Sequence, residues 1–459
     1  MKADIVVIGA GAAGIFASWR AASLGSKVVL LEKTPRIGTK ILISGGGKCN
    51  ICHDGPIESV LKAFRPNEAK FIRPSVYKFQ NHEIVKLLTD RGLRVYTRPD
   101  GRIFPVDQTA KDVVGILHSM LREAGVKIYL NSPVQEIVTS GSQVVAVKTK
   151  LGEKHKPNHK SAQSITHKVQ YGAKGLLSAV LSDDSDSENY EGLGNQTIEC
   201  NQVIVCSGGS SYPNSGTTGD GWAWMKSIGH SVEWIHAALA PIYLEIDPYD
   251  PALSGVALRN IILKAKSGSK EIARWQNDML FTHQGVSGPT VLGVSRIVAE
   301  SMATSPIRLE ADLVPELNHE ALQTLFLGEN PKKLVATVIE AWVPERFAAK
   351  LLTLIQISPE TTVGKLDKKS RNRLIDTLKL CPIGTVRHVS LEKGEVVAGG
   401  VSLDEVDAQT MESKIVSGLY LCGEILDIAG PVGGYNLQSA FSTGFVAGDT
   451  AAKRVLSGA

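Results

Sequence analysis

The N-terminal segment carries the feature that most limits what the chain can fold into. The segment Asp4–Ile8, apolar without interruption from Ile5, predicts a buried parallel strand and leads straight into the glycine-rich turn Gly9–Gly14. A helix is predicted over Ile15–Leu24, and a second strand, Lys27–Leu31, ends at Glu32. This order of strand, turn, helix, strand and acid predicts a Rossmann-like dinucleotide-binding domain.

Each glycine of such a turn has a separate physical task. Gly9 makes the tight turn, Gly11 lets the backbone reach the diphosphate, and Gly14 allows close packing of helix on strand. The diphosphate is expected on the unpaired N–H groups at the helix N-terminus. Glu32 is expected to accept both ribose hydroxyls, which argues against a 2′-phosphate. The residues of this turn that are predicted to contact the cofactor are Gly9, Gly11, Ala12, Ala13 and Gly14.

The turn alone does not choose between FAD and NAD, but three later segments favour FAD. The dense glycine run in Thr39–Asn50 suits a loop along a flavin, although a surface loop has the same composition. The strand and glycine turn Val203–Gly209 suit a position near the adenosine, or an ordinary strand exit.

The third segment is C-terminal and is the most specific of the three. A strand, Leu419–Cys422, is followed by Gly423 and by Glu424, whose carboxylate can bind ribitol hydroxyls. The stretch Gly430–Gln438 precedes a helix predicted over Ser439–Lys453, whose positive N-terminal end would stabilise an anionic reduced flavin. An NAD dehydrogenase has no use for this contact. The further cofactor-binding residues predicted are Lys33, Lys40, Ser44, Gly45, Gly46, Gly47, Cys49, Asn50, Val134, Ser207, Gly208, Gly209, Gly423, Glu424, Gly434, Tyr435, Asn436, Leu437 and Gln438.

Taken together, the motifs resemble the BaiN/RdsA-type family of NAD(P)/FAD-dependent oxidoreductases. The resemblance implies a FAD domain built from both chain ends and interrupted by a β-barrel-like part and a small helical part. It implies reduction of an activated C=C bond, in a steroid-type enone or in a uracil of large-subunit ribosomal RNA. The motifs that carry it are Thr39–Asn50, Gly101–Pro105, Ser207–Gly209, Phe281–Pro289, Ala398–Val401 and the stretch from Gly423 to Gly444.

The pattern along the chain predicts the same organisation. We expect an α/β Rossmann-like FAD domain over residues 1–229 and 398–459, in which 152–196 form a loosely ordered extension. A β-rich insert is expected over 230–315, with strands at 242–246, 261–266 and 307–313. A helical insert follows at 316–381, and residues 382–397 form a strand of the insert that leads back to the FAD domain. A hairpin is expected within Lys127–Lys150, with its turn at Gly141 and Ser142.

The sequence has no second glycine fingerprint after a strand. If NAD(P)H is the electron donor, we therefore expect it to visit the flavin transiently without a Rossmann domain of its own. Reduction of a C=C bond also needs a proton for the second carbon.

Two residues are candidate proton donors. Cys49 lies in the glycine-rich loop, where it could equally pack as a small apolar side chain. His283 lies on the insert expected to cover the flavin, where it could equally bond its own loop. Cys49 and Cys52 form a C-x-x-C pattern, which leaves a dithiol oxidoreductase as an alternative. No metal site is expected, since only His53 lies near these cysteines and zinc needs four ligands.

One short segment is strongly basic. Residues 364–379 hold six Lys or Arg against two Asp, a net charge of +4. A basic helix face of this kind suits RNA phosphates, or it is an ordinary solvated face. The positions are Lys365, Lys368, Lys369, Arg371, Arg373 and Lys379 against Asp367 and Asp376.

Composition narrows the remaining choices. Six Cys in 459 residues do not form a disulfide framework, and no apolar run approaches the roughly 20 residues needed to cross a bilayer. We therefore expect a cytoplasmic protein with no membrane partner. The leading hypothesis is an NAD(P)H-driven, FAD-dependent reductase whose acceptor is ribosomal RNA or a small enone. An oxidase, a dithiol enzyme and a non-enzymatic flavin sensor are the rivals.

Overall fold

A computed structural model describes residues 1–150, 192–246 and 250–458 of the chain. These form two compact units, one of residues 1–235 with 398–459 and one of residues 236–397. Most of the predicted extension at 152–196 lies outside the described residues. The predicted domain bounds remain predictions.

A five-stranded parallel sheet forms the centre of the first unit, and its strands come from both ends of the chain. The strands are β1 Ile5–Ile8, β2 Val28–Leu31, β5 Lys127–Tyr129, β9 Gln202–Val205 and β18 Leu419–Leu421. Their order in the sheet is β18-β9-β1-β2-β5. All four residues of β1, β2 and β9 are buried, as expected for a parallel sheet covered on both faces. This confirms the predicted Rossmann-like fold.

Two long helices pack against each other beside this sheet, α1 (Ala12–Ser23) and the C-terminal α13 (Tyr435–Ser457). Gly444 and Gly448 make the contact possible, since a Cβ on either would lie 2.2 Å from a carbonyl oxygen of α1. Because α13 begins at Tyr435, four residues before the predicted start, the predicted motif 435–438 forms its first turn.

The remaining elements of the first unit surround the sheet. The strands are β3 Val95–Thr97, β4 Ile103–Pro105, β6 Val134–Ser140, β7 Gln143–Thr149 and β8 Thr197–Glu199. The helices are α2 Thr39–Ile43, α3 Ile57–Lys62, α4 Pro66–Lys78, α5 Asn81–Thr89, α6 Ala110–Glu123 and α7 Asp220–Ser227. The predicted hairpin is β6 with β7, turning at Gly141 and Ser142, whereas residues 127–129 instead join the parallel sheet.

The second unit contains a closed six-stranded barrel with helices, which confirms the predicted barrel-like and helical parts. The strands of this unit and its border are β10 His236–Ala238, β11 Ile242–Leu244, β12 Ala257–Ser267, β13 Lys270–Phe281, β14 Gly285–Ser287, β15 Ile307–Asp312, β16 Cys381–Val389 and β17 Val396–Ala398. The barrel order is β11-β14-β13-β12-β15-β16. The helices are α8 Pro289–Ser301, α9 His319–Gly328, α10 Val335–Ile339, α11 Glu345–Leu354 and α12 Lys368–Lys379.

Helix α8 interrupts the segment predicted to be β-rich. Val291, Val294 and Val298 recur at helical spacing and are all buried in the core of this unit. In the described part of the chain, no helix combines the length and the apolar character needed to span a bilayer.

Candidate flavin-binding site

The glycine turn after β1 has the close contacts that its sequence predicts. A Cβ on Gly9 would lie 2.6 Å from the Cys206 carbonyl oxygen, and one on Gly14 would lie 1.8 Å from the Gly9 oxygen. A Cβ on Gly11 would meet no described heavy atom within 4 Å, so the space over the first turn of α1 is open. No described side chain caps this helix. Its first N–H groups can thus face a diphosphate.

Glu32 follows β2 and is half-buried beside this turn. Its carboxylate accepts hydrogen bonds from the Ala10 N–H and the Thr34 N–H, each at 2.8 Å. Burial raises the pKa of the carboxyl, although the backbone hydrogen bonds oppose that shift. An ionised carboxylate has about four acceptor positions, so about two remain for ribose hydroxyls.

A small cavity next to Glu32 is lined by several predicted residues together with one that the sequence did not suggest. Gly9, Lys33, Val134 and Ser207 line it, as does Asp220 at the start of α7. Lys33 Nζ contacts Asp220 Oδ2 at 2.6 Å, so the lysine charge is neutralised within the protein. The sequence signal that could have identified Asp220 is the run Thr217–Gly221, in which an acid follows a glycine at the start of a helix.

Lys40 links the N-terminal and C-terminal parts of the site. Its Nζ lies 2.7 Å from Glu424 Oε2 and 2.7 Å from Ser211 Oγ. Glu424, predicted to bind ribitol hydroxyls, therefore has a cation partner within the protein. The contact joins α2 to the segment that follows β18.

Three predicted cofactor residues have buried polar atoms without a protein partner. Within the described ranges, Ser207 Oγ, Asn50 Oδ1 and both amide atoms of Gln438 accept or donate no hydrogen bond. Buried polar groups in folded proteins are nearly always satisfied. These atoms come from three separate segments, and they fit a polar ligand such as FAD.

The segment Thr39–Asn50, predicted as a loop along the flavin, is partly helical. Helix α2 occupies Thr39–Ile43, and a single 3-10 turn covers Ser44–Gly47. Gly45 and Gly46 adopt φ of 57° and 69°, which glycine adopts without strain. A Cβ on Gly45 would lie 2.9 Å from the Phe104 ring and from the Asn50 nitrogen. The loop thus rests on β4.

The two candidate thiols are both enclosed. Cys49 is fully buried, has φ of 60°, and its pKa is raised to about 12 by burial. Burial, with the neighbouring Cys49 and Asp54, raises the pKa of Cys52 far above its usual range. Both are free thiols. Because the thiolate is the reactive species, this setting opposes dithiol chemistry.

The first turn of α13 holds the other predicted residues. Gly434 has φ of 92° and no described side chain caps the helix, so its first N–H groups can meet a ligand. The Asn436 side chain closes the preceding loop, with hydrogen bonds to Gly430 N and Gly430 O at 2.8 and 2.9 Å. His283, by contrast, is exposed between β13 and β14 of the second unit. Its predicted place over the flavin remains a prediction.

Comparison with known proteins places this arrangement in a family of Rossmann-domain proteins. The family described as HI0933-like protein Rossmann domain matches residues 3–165 and 161–450. Ribosomal RNA dihydrouridine synthase of Haemophilus influenzae is 29% identical over 96% of both chains. The 3-dehydro-bile acid delta(4,6)-reductase of Clostridium scindens is 28% identical over 98% of this chain and 99% of its own.

A solved structure shares the fold. The 3-ketosteroid delta1-dehydrogenase from Sterolibacterium denitrificans superposes with a TM-score of 0.52 at 14% identity, covering 98% of this chain and 99% of that chain.

Proposed function

The chain belongs to the HI0933-like protein Rossmann domain family, and on that premise we propose that it uses NAD(P)H and FAD to reduce an activated C=C bond. A uracil base of ribosomal RNA is the first acceptor we propose, and a small enone the second. The names of two relatives support both, since dihydrouridine is uridine with one C=C bond saturated and a delta(4,6)-reductase removes such bonds.

One observation carries the cofactor part of the proposal. Ser207, Asn50 and Gln438 each present buried polar atoms that lack a partner in the described part of the chain. Leaving such groups unsatisfied costs about 1–3 kcal/mol each, which favours a fold organised around a polar ligand. FAD, when bound, supplies a ring that accepts a hydride and passes it on.

The chain's own residues then have two tasks. The N-terminus of α13, at Gly434, offers partial positive charge to an anionic group. A proton must also reach the acceptor carbon, and Cys49 is protonated at neutral pH because its pKa is about 12. We propose Cys49 as that donor and His283 as the second candidate.

The RNA part of the proposal draws support from a narrower basic face than the sequence predicts. Lys368, Lys369 and Arg373 are exposed on α12. Arg371 instead bonds Gln323 at 3.0 Å, and Lys379 pairs with Asp312 at 2.7 Å. Helix α12 therefore offers its three exposed cations to phosphate.

Anaerobic spectroscopy of the flavin tests the proposal. We expect NADH or NADPH to bleach the holoenzyme, and ribosomal RNA from a strain lacking the protein to restore the oxidised spectrum. Reoxidation by a small enone but not by RNA would favour the second acceptor. Reoxidation by oxygen alone, or by a disulfide, would overturn the proposal in favour of an oxidase or a dithiol enzyme.

A further inference from the structure

The hairpin of β3 and β4 lies against the candidate flavin site within the first unit. Its strands and turn pair with the segment after the glycine-rich loop, through Asp54 N to Gly101 O at 2.8 Å and Ile103 N to Cys52 O at 3.1 Å. Phe104 of β4 lies against that loop at Gly45, where an added Cβ would be 2.9 Å from the ring. The hairpin is therefore a wall of the site.

Two rings stack where this wall meets the start of α13. The His53 and Tyr435 rings lie 4.6 Å apart between centroids, with an interplanar angle of 24°. The hairpin turn fixes His53, because a Cβ on Gly101 would lie 2.5 Å from the imidazole. His53 Nδ1 is buried and bonds to none of the described residues. Both side chains are half-buried, and the pair places an unused polar atom beside the cofactor segments.

The hairpin that carries Gly101 and Phe104 is rich in arginine. Residues 91–107 hold four Arg against two Asp, a net charge of +2. Arg102 is neutralised by Asp100, with Nη2 and Oδ2 2.5 Å apart. Arg98 stacks on Phe104, its guanidinium 4.1 Å from the ring centroid, and makes no ion pair with any carboxylate in the described ranges. Arg98 Nε also donates to the Tyr96 hydroxyl at 3.4 Å, and its charge helps to lower the pKa of Asp100, so the guanidinium is held flat beside the hairpin turn.

These groups match what an unstacked RNA base needs. Enzymes that act on a base take it out of the helix, and proteins hold such bases on aromatic side chains or arginine planes. Arginine also binds phosphate through charge-assisted hydrogen bonds. We propose that the stacked His53–Tyr435 pair holds the acceptor base against the outer side of one ring and that Arg98 binds a neighbouring phosphate. This inference rests on the proposed RNA acceptor.

Binding of a fluorescent ribosomal RNA transcript to the FAD-loaded enzyme, measured across a series of KCl concentrations, tests each group separately. Arg98→Gln should weaken binding about tenfold and reduce the slope of log affinity against log salt by about 0.7–0.9, the effect of removing one phosphate-binding cation. His53→Ala should weaken binding about fivefold to hundredfold with an unchanged slope, because stacking releases no counterions.

Two further variants make the result specific. His53→Phe keeps a planar ring and should restore the affinity that His53→Ala removes. Arg94→Gln removes a hairpin arginine that pairs with Asp107 and should bind RNA like the parent.

If Arg98→Gln and His53→Ala bind RNA with the parent's affinity and slope, the proposal that His53, Tyr435 and Arg98 contact the RNA is wrong. The proposed RNA acceptor is then unaffected. If the parent itself binds no RNA, the proposed acceptor fails and this surface fails with it.

Discussion

Glu32 fixes the local fold of the glycine turn, and we propose that it also binds the FAD ribose. Its two oxygens hold the Ala10 and Thr34 N–H groups, and it also lines the cavity expected to hold ribose. Glu32→Gln removes the charge and turns one acceptor into a donor. We expect FAD to bind about tenfold to hundredfold more weakly, since a charged hydrogen bond is worth about 1.5–3 kcal/mol.

Fluorescence titration of the apoprotein with FAD measures this weakening. Glu136→Gln is the control, because Glu136 is exposed and pairs only with Lys148 on the neighbouring strand among the described residues. Unchanged FAD affinity in Glu32→Gln would mean that the carboxylate serves the turn alone.

A substitution at Cys52 distinguishes the proposed C=C reductase from the dithiol oxidoreductase that the C-x-x-C pattern also allows. Its thiol is buried with a raised pKa, so a reactive thiolate is disfavoured at neutral pH. Cys52→Ser should leave NAD(P)H-dependent turnover within about twofold of the parent, because a protonated, unreactive thiol takes no part in the chemistry. A large fall in turnover, with two thiols consumed when the parent is oxidised, would establish the dithiol enzyme.

Some site residues were predictable from sequence and some were not. The glycines of the turn, Ser207 and Gln438 follow from local pattern, since each lies just after a strand or at a helix start. Partners distant along the chain leave no such pattern. Asp220 beside Lys33, and Asp312 beside Lys379, become visible only when the fold brings them together.

At the scale of elements, α1 and α13 depend on close backbone approach. A Cβ at Gly444 would lie 2.2 Å from the Ala13 carbonyl oxygen, which no rotamer change relieves. Gly444→Ala should therefore destabilise the protein by about 1–3 kcal/mol, as overpacked cores do. The unfolding temperature, measured by calorimetry, should fall by several degrees.

Gly115→Ala is the matched control for this change. Gly115 also lies in a helix, α6, but an added Cβ there meets no described heavy atom within 4 Å. That variant should be stabilised by about 0.5–1 kcal/mol, the helix preference of alanine. Equal unfolding temperatures for both variants would contradict the packing argument.

The exposed cations of helix α12 lead to a prediction about RNA binding. Replacing Lys368, Lys369 and Arg373 with Ala should weaken RNA binding and reduce the salt slope by about 0.7–0.9 for each cation that binds a phosphate. Arg371 and Lys379 are left intact, because both bond other elements of the second unit. The measurement is RNA affinity across KCl concentrations.

The control removes three exposed lysines elsewhere and should keep the parent's slope. An unchanged slope in the α12 variant would make this face an ordinary solvated one. The control positions are Lys226, Lys270 and Lys332.

At the scale of the whole molecule, the sequence predicted a cofactor domain shared between the chain ends. Periodicity and glycine spacing determine that domain, because strand and helix patterns are local. The order of strands in the barrel was beyond such reasoning, since it depends on contacts between distant segments. Helix α8 was missed although Val291, Val294 and Val298 show its period, because neighbouring strands dominated the segment.

We propose that this enzyme saturates a uracil in ribosomal RNA. Mass spectrometry of ribosomal RNA from strains with and without the protein tests it most directly. We predict one uridine heavier by two hydrogen atoms where the protein is present, absent from the deletion strain, and regained on treatment with holoenzyme and NAD(P)H. Identical uridine masses in both strains would contradict the claim.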